Sequence, residues 1–93
     1  MVRISFDSAK NEWNIRVRGL PFDAAADFDF EHALYSVDDR RQYGETRYVA
    51  LGRLGDRLHV LCFVETEDGI RIISFRKANA REVRRYAETK ITD

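Results

Sequence analysis

"TRYVALGRLGDRLHVLCFVETEDGIRIISFR", residues 46–76, contains the strongest structural signal in the chain. Runs rich in β-branched and apolar residues predict three strands, at 46–54, 57–66 and 70–76. Gly55-Asp56 separates the first two runs and the "EDG" at 67–69 separates the last two. Such short connections join antiparallel neighbours, because a parallel pair needs a crossover of about a dozen residues. An antiparallel meander is therefore expected.

Upstream of the meander, the first residues predict a strand followed by a helix. "VRISF" alternates, so that Val2, Ile4 and Phe6 share one face. Asp7 is a suitable N-cap for the helix, and Gly19 offers a left-handed stop. The apolar positions of this helix are spaced four residues apart, and we expect them to face the core: Ala9, Trp13 and Val17.

Two further elements are expected before the meander. "LPFDAAADFDF", residues 20–30, predicts a second, short helix with Pro21 in its first turn. Its expected buried stripe consists of Phe22, Ala25, Ala26 and Phe28. "ALYSV", residues 33–37, predicts a short strand.

A closing helix follows the meander. Asn79 is a good N-cap, and Glu82 three residues later completes a capping-box pattern. We expect Ala80, Val83 and Ala87 on the buried side with Tyr86 at its margin, and Arg81, Arg84, Arg85 and Glu88 on the other. The order is β-α-α-β-β-β-β-α, so the sequence predicts one α+β domain over residues 1–93, with a small antiparallel sheet, two N-terminal helices and one C-terminal helix.

The composition is typical of a globular chain. Of 93 residues, 44% are apolar and 34% charged, which excludes a disordered class. No apolar run approaches a membrane span or a signal peptide, so no membrane partner is expected. The single cysteine, Cys62, cannot form an intramolecular disulfide, and a cytoplasmic location is expected. Its apolar neighbours indicate a buried, inert thiol.

The neutral total conceals a separation of charge. Residues 23–39 contain six acidic residues and no Lys or Arg, whereas residues 71–90 contain seven basic residues against two glutamates. Arginine outnumbers lysine thirteen to three. A guanidinium can hold phosphate or carboxylate through two parallel hydrogen bonds, which indicates an anionic partner. The alternative is that this usage reflects the genome rather than a function.

Residues 71–90, the basic segment, contain a candidate phosphate site. Arg76 lies where the last strand ends, beside Lys77 and near the N-terminal amides of the closing helix. Arg71 is five residues earlier, so the two arginines point to opposite faces unless the strand bulges or ends at Arg76. The alternative is a solvated rim that pairs with the acidic residues of 23–39. Glu45 and Arg47 form a second candidate, as base and transition-state clamp or as a surface ion pair.

Few other residues could carry chemistry. His59 lies mid-strand between apolar residues, which favours a hydrogen-bonded structural histidine over a catalytic one. His32, in the acidic stretch, is expected to be exposed. With two histidines and one cysteine, no metal site is expected. The anionic partner that the arginines indicate could be RNA. Cleavage of RNA needs no cofactor, because the ribose 2′-hydroxyl is itself the nucleophile. The protein only positions this hydroxyl, moves protons and stabilises charge.

Three segments together resemble the BrnT family of bacterial type II toxin–antitoxin systems. The opening is similar to that family's "WDxxKxxxNxxKHGxxF", the first meander strand to its "ERxxxLGxx", and the basic segment to its "IRIISARxAxxxERxxY". The matching residues are Asp7, Lys10, Asn14, Gly19, Phe22, Arg47, Leu51, Gly52, Arg71, Ile73, Ser74, Arg76, Ala78, Glu82 and Tyr86. The chain departs from these patterns at Phe6, Ser8, Val17, Arg18 and Phe75.

The resemblance implies a RelE-like fold and a ribonuclease toxin that inhibits translation. It also implies a ribbon-helix-helix antitoxin that represses the operon, in an assembly of two toxins with two antitoxins that contacts operator DNA only through the antitoxin. On this basis we expect catalytic roles for Arg76, Arg47, Arg71 and Glu82, and RNA contacts from Lys77, Arg81, Arg84, Arg85 and Tyr86. Glu82 could instead only cap the helix, and Tyr86 could only anchor it. The alternative function is a non-catalytic module that binds nucleic acid or protein through the basic helix.

Overall fold

The computed structural model describes residues 3–92. The strands are β1 (Arg3–Phe6), β2 (Leu34–Val37), β3 (Tyr48–Leu54), β4 (Arg57–Glu65) and β5 (Gly69–Lys77). The α-helices are α1 (Ser8–Arg18) and α2 (Ala80–Thr92), and a 3-10 helix spans Phe22–Asp27. The expected α+β class is therefore confirmed, and each expected strand and helix has a counterpart among the described residues, although the second helix is a 3-10 helix. No helix within residues 3–92 is long and apolar enough to cross a membrane.

The strands form one sheet in the order β1-β5-β4-β3-β2. Strands β2 to β5 are antiparallel neighbours, which confirms the predicted meander. Strand β1 pairs in parallel with β5, so the expectation of an antiparallel sheet is wrong at this edge. The register places Ile4 opposite Ile70 and Phe6 opposite Ile72. As the alternation predicts, Ile4 and Phe6 both pack against the core. Val2 lies outside the described residues.

The larger core lies on one face of the sheet, beneath the 3-10 helix. Its buried members are Phe22, Ala25, Phe28, Ala50, Leu61, Phe63, Ile70, Ile72 and Phe75. The prediction of a second α-helix is wrong in type, because the segment has three residues per turn and begins after Pro21. With that period, Phe22, Ala25 and Phe28 all point inward, whereas Ala26 is exposed and was wrongly placed in the stripe.

Helix α1 packs against the sheet edge through polar side chains. Asp7 caps it by accepting a hydrogen bond from the Lys10 amide, and Gly19 ends it with φ 64°, as predicted. The predicted apolar face is wrong, because Ala9, Trp13 and Val17 are all exposed and the buried residue is Asn14.

The short length of β1 explains why an asparagine is buried there. Strand β1 pairs with β5 only as far as Ile72, so the edge of β5 beyond that point has no strand partner on this side. The Phe75 carbonyl on this edge accepts hydrogen bonds from Asn14 Nδ2 at 2.9 Å and from Arg18 Nη1 at 3.3 Å. Helix α1 therefore satisfies the open edge with side chains instead of burying an apolar stripe.

Helix α2 lies on the opposite face of the sheet and contacts it mainly through Tyr86. The Tyr86 ring belongs to a smaller buried cluster with Leu51, Leu58, Val60 and Ala78. The predicted buried side is wrong, because Ala80, Val83 and Ala87 are exposed. The inward side consists of Glu82, Tyr86 and Thr89, since the large ring and its hydroxyl determine which side of the helix reaches the sheet.

Candidate functional site

A β-bulge in β5 brings Arg71 and Arg76 to the same face of the sheet. Arg71 lies opposite Val64 and Arg76 lies opposite Val60. Because Val60 and Val64 are four residues apart on β4, they share a face, and so do their partners. The extra step in β5 is Ile73, which has no partner on β4. The structure thus supplies the bulge that two arginines five residues apart require.

Arg71 and Arg47 share one carboxylate. Arg71 Nη2 donates to both oxygens of Glu45 at 2.8 Å, and Arg47 Nε lies 3.5 Å from Glu45 Oε2. The Arg47 guanidinium also stacks over the Tyr43 ring, 3.9 Å from its centre. Two guanidiniums and one carboxylate leave a local charge of +1, which attracts an anion.

The arrangement also leaves donors unused. The Nε atoms of Arg47 and Arg71 are buried and have no hydrogen-bond partner among the described residues. A buried donor without a partner costs about 1–3 kcal/mol. Such unsatisfied groups are rare in folded proteins and favour a functional role for this cluster.

Arg76 is held by the first turn of α2. Its Nη1 and Nη2 atoms donate to the two oxygens of Glu82 at 2.8 and 2.9 Å. Glu82 Oε1 also accepts from the Asn79 amide at 2.9 Å, and Asn79 Oδ1 accepts from the Glu82 amide, which confirms the capping box. Glu82 therefore both caps the helix and orients Arg76.

Hydrogen bonding from Arg76 lowers the pKa of Glu82 from 4.5 to about 2. Replacing Glu82 with glutamine keeps an oxygen for the cap but removes the charge that holds Arg76. Because the native pKa is depressed, the ion pair contributes stability above about pH 4.5 and loses it as the pH falls towards 2. We expect Glu82→Gln to lower the free energy of unfolding by about 1 kcal/mol at neutral pH, after allowance for solvent screening.

Urea denaturation at neutral pH and at about pH 2.5 measures this difference. The loss caused by Glu82→Gln should shrink at the lower pH, where the carboxyl of the intact protein is partly protonated. Glu67→Gln, in the exposed turn before β5, is the control and should change little at either pH. If Glu82→Gln lowers the free energy of unfolding by the same amount at both pH values, the stability does not depend on the ionisation of Glu82 and this prediction is wrong.

A cleft of about 350 Å³ opens where α1 ends beside the last residues of β5. It is lined by Arg18, Gly19, Leu20, His59, Arg76 and Lys77, so three of its lining residues are cationic and none is acidic. His59 itself is only 5% exposed, and its ring packs against Phe75 with 5.6 Å between ring centres.

The basic segment does not pair with the acidic stretch, so that alternative is wrong for the described residues. Arg71 and Arg76 bind Glu45 and Glu82, both outside 23–39. Within residues 3–92, no ion pair joins a basic residue of 71–90 to an acidic residue of 23–39. Among the described residues, the two charged stretches therefore do not neutralise each other through direct ion pairs.

Comparison with known proteins identifies the family. A family model described as "Ribonuclease toxin, BrnT, of type II toxin-antitoxin system" matches residues 6–82. The chain belongs to the BrnT family. The crystal structure of the Brucella abortus ribonuclease toxin BrnT is 28% identical in sequence, with a TM-score of 0.59. That match covers 85% of this chain and 99% of the Brucella chain. No curated protein matches the chain.

The BrnT family is one of ribonuclease toxins, so RNA is the anion to consider for the basic face, the face of the sheet that carries Arg71 and Arg76. Lys77 lines the cleft, and three arginines are exposed along α2: Arg81, Arg84 and Arg85. Tyr86 is 7% exposed and its hydroxyl donates to the His32 carbonyl at 3.3 Å. Of the two alternatives for Tyr86, the structure therefore places it as the anchor of α2, with little ring surface for a base.

Sequence reasoning missed a buried carboxylate beside the Arg47 cluster. The side chain of Asp38 is 3% exposed and accepts hydrogen bonds from Arg40 and from the Tyr43 hydroxyl. Hydrogen bonding from Arg40 holds the pKa of Asp38 well below its usual range. The Asp38 amide also donates to the Arg47 carbonyl. Asp38 thus organises the loop that presents Tyr43 and Arg47, although the sequence shows it only as one of six acids.

The structure also defines the surroundings of Arg18 and Cys62, two residues named in the sequence analysis. Arg18 stands where the BrnT pattern has the histidine of "KHG", and its Nη1 donates to Asn14 Oδ1 at 3.1 Å. Cys62 is buried, as predicted, and burial raises the pKa of its thiol. Residues 3–92 contain no group of three His, Cys, Asp or Glu side chains placed to hold a metal ion.

Proposed function

We propose that this BrnT-family chain is a metal-independent endoribonuclease with a RelE-like arrangement, and that it slows translation by cutting RNA. The observation that carries the proposal is the common face of Arg71 and Arg76, created by the bulge in β5. Arg47 joins them through the carboxylate it shares with Arg71. Arginines along one face can hold successive phosphates of a single strand.

Within this proposal, Arg76 is the principal phosphate clamp, with Arg47 and Arg71 as second and third. Glu82 orients Arg76 through two hydrogen bonds and does not itself contact RNA. Arg81, Arg84 and Arg85 neutralise neighbouring phosphates without reading sequence, and Lys77 contributes to RNA binding at the end of β5. In the charged transition state the positive charge of Arg76 would contribute most, because negative charge grows on the phosphoryl oxygens there.

The type II family description implies an antitoxin partner. We propose a small ribbon-helix-helix antitoxin, two copies with two toxins, which covers the basic face and alone contacts operator DNA. The charge separation supports this proposal, since an acidic partner surface would dock on residues 71–90.

Purified intact chain incubated with RNA in excess EDTA tests the enzyme function. We expect cleavage to continue undiminished, with products that carry 2′,3′-cyclic phosphate and 5′-hydroxyl ends, because the nucleophile is the neighbouring 2′-hydroxyl. RNA in which 2′-O-methyl groups replace the 2′-hydroxyls is the control and should stay intact. Loss of cleavage in EDTA that returns with added Mg²⁺ would contradict metal independence. Tight RNA binding without any cleavage would favour a non-catalytic binding module.

A further inference from the structure

The cleft beside α1 contains a buried histidine with one unused nitrogen. His59 Nδ1 lies 3.0 Å from the Arg57 carbonyl oxygen, which can only accept a hydrogen bond. Nδ1 must therefore carry a proton. In the neutral imidazole the lone pair then lies on Nε2, for which the described residues offer no hydrogen-bond partner.

The charges around His59 suit a phosphodiester. Arg18 approaches from α1, and Lys77 and Arg76 from β5, while no acidic residue lines the cleft. On the third side His59 pairs with Gly52 of β3, which has no side chain, and the ring rests on the apolar Phe75. An anion in this cleft would meet three cations and no carboxylate on its walls.

Arg76 joins the cleft to the proposed RNA-binding face. It lines the cleft, yet it lies on the face that carries Arg71. An RNA strand that follows the arginines along β5 therefore reaches the cleft at the end of the strand. This continuity makes the cleft a candidate place for the reacting phosphate rather than a separate site.

We propose that the cleft binds the scissile phosphodiester and that His59 is the catalytic base, an inference that rests on the proposed ribonuclease function. His59 Nε2 takes the proton of the 2′-hydroxyl as the 2′-oxygen forms a bond to phosphorus. The bond from phosphorus to the 5′-oxygen breaks, and that oxygen leaves with the electron pair and takes a proton from water. Arg18, Lys77 and Arg76 hold the phosphoryl oxygens, and the product is a 2′,3′-cyclic phosphate.

His59→Asn tests the base with little disturbance of the fold. The asparagine amide can still donate to the Arg57 carbonyl in place of Nδ1, but it offers no titrating nitrogen. We expect the cleavage rate to fall by about 10²- to 10⁴-fold with KM changed only a few-fold. The acidic limb of the pH–rate profile should disappear in the variant, and added imidazole should restore part of the activity of His59→Gly. An acidic limb that persists in folded His59→Asn would overturn the base role.

Binding of a short RNA with 2′-O-methyl groups throughout tests the cleft independently of turnover. We expect Arg18→Gln combined with Lys77→Gln to weaken binding about tenfold. Arg16→Gln, on the same helix but outside the cleft, is the matched control. The NMR signals of the His59 ring should shift when the oligonucleotide binds.

The outcomes separate the two proposals. If the intact chain cleaves RNA but His59→Asn cleaves equally well, the ribonuclease proposal stands and the base assignment falls. If the intact chain binds the methylated RNA through the cleft without cleaving ordinary RNA, the phosphate site stands and the ribonuclease proposal falls with its base. Equal binding by the cleft variants and the Arg16→Gln control overturns the cleft as a phosphate site.

Discussion

Replacing Arg76 with alanine is expected to abolish the growth arrest that we expect from induced expression of the intact chain. Arg76 places a guanidinium charge at the end of β5, where Glu82 of α2 holds it in place through two hydrogen bonds. Removing one donor group aimed at a charged transition state typically costs about 10²- to 10³-fold in rate. We therefore expect purified Arg76→Ala to cleave RNA at least about a hundredfold more slowly.

A second variant separates lost chemistry from lost structure. Arg76→Ala alone leaves the largely buried Glu82 carboxylate without its partner, which destabilises the protein by a route unrelated to RNA. The double variant with Glu82→Gln removes that charge and retains the cap. It should be as soluble as the intact chain and still harmless. Arg16→Ala serves as the control for loss of one exposed positive charge.

The role of Arg76 is tested by the growth of cells that express the intact chain or each variant at matched soluble protein levels. Arrest by the double variant as strong as by the intact chain would contradict the role of Arg76. Folded intact protein that leaves growth unaffected would contradict the toxin function itself and favour a binding module. The purified proteins give the same comparison as initial rates of RNA cleavage.

The meander was predictable because its signals are local. Alternating apolar residues and two short turns specify β3, β4 and β5 without any knowledge of distant contacts. The bulge at Ile73 was not predictable in this way, because it depends on how β5 aligns with β4. Sequence reasoning could only state that Arg71 and Arg76 need a bulge or a strand end to share one face.

The helix faces were mispredicted because the sheet, not the helix pattern, determines what is buried. In α1 the spacing of Trp13 and Val17 indicates an apolar stripe, yet the open edge of β5 needs hydrogen-bond donors. Asn14 supplies them, and the apolar residues turn to the surface. In α2 the Tyr86 ring is buried instead of Ala80, Val83 and Ala87, because an aromatic ring has a large apolar surface to bury.

The candidate site was predictable in its residues but not in its partners. Arg47 and Arg71 are 24 positions apart in sequence, and only the folded sheet shows that both approach Glu45. Likewise, the spacing of Asn79 and Glu82 predicts the cap but says nothing of Arg76. Short-range pairs leave a pattern in sequence, whereas pairs made across strands do not.

Asn14→Ala is expected to be among the most destabilising single substitutions in the chain. Asn14 is 1% exposed, and its Nδ2 donates to the Leu20 and Phe75 carbonyls at 2.8 and 2.9 Å. Alanine leaves these acceptors short of a donor and opens a void beside the sheet. We expect a loss of about 3 kcal/mol, from one buried and one partly buried hydrogen bond at about 1–3 kcal/mol each, with partial compensation by water.

For a domain of this size, such a loss lowers Tm by about 12–24 °C, which thermal unfolding followed by circular dichroism measures directly. Ile15→Ala is the matched control, because the neighbouring side chain is 44% exposed and should change stability by no more than about 0.5 kcal/mol. Asn14→Asp keeps the size and the acceptor for Arg18 but cannot donate. If donation to the Phe75 carbonyl holds α1 in place, Asn14→Asp will be at least as unstable as Asn14→Ala. A stable aspartate variant would show instead that filling the space is what matters, and that the open edge of β5 does not depend on this asparagine.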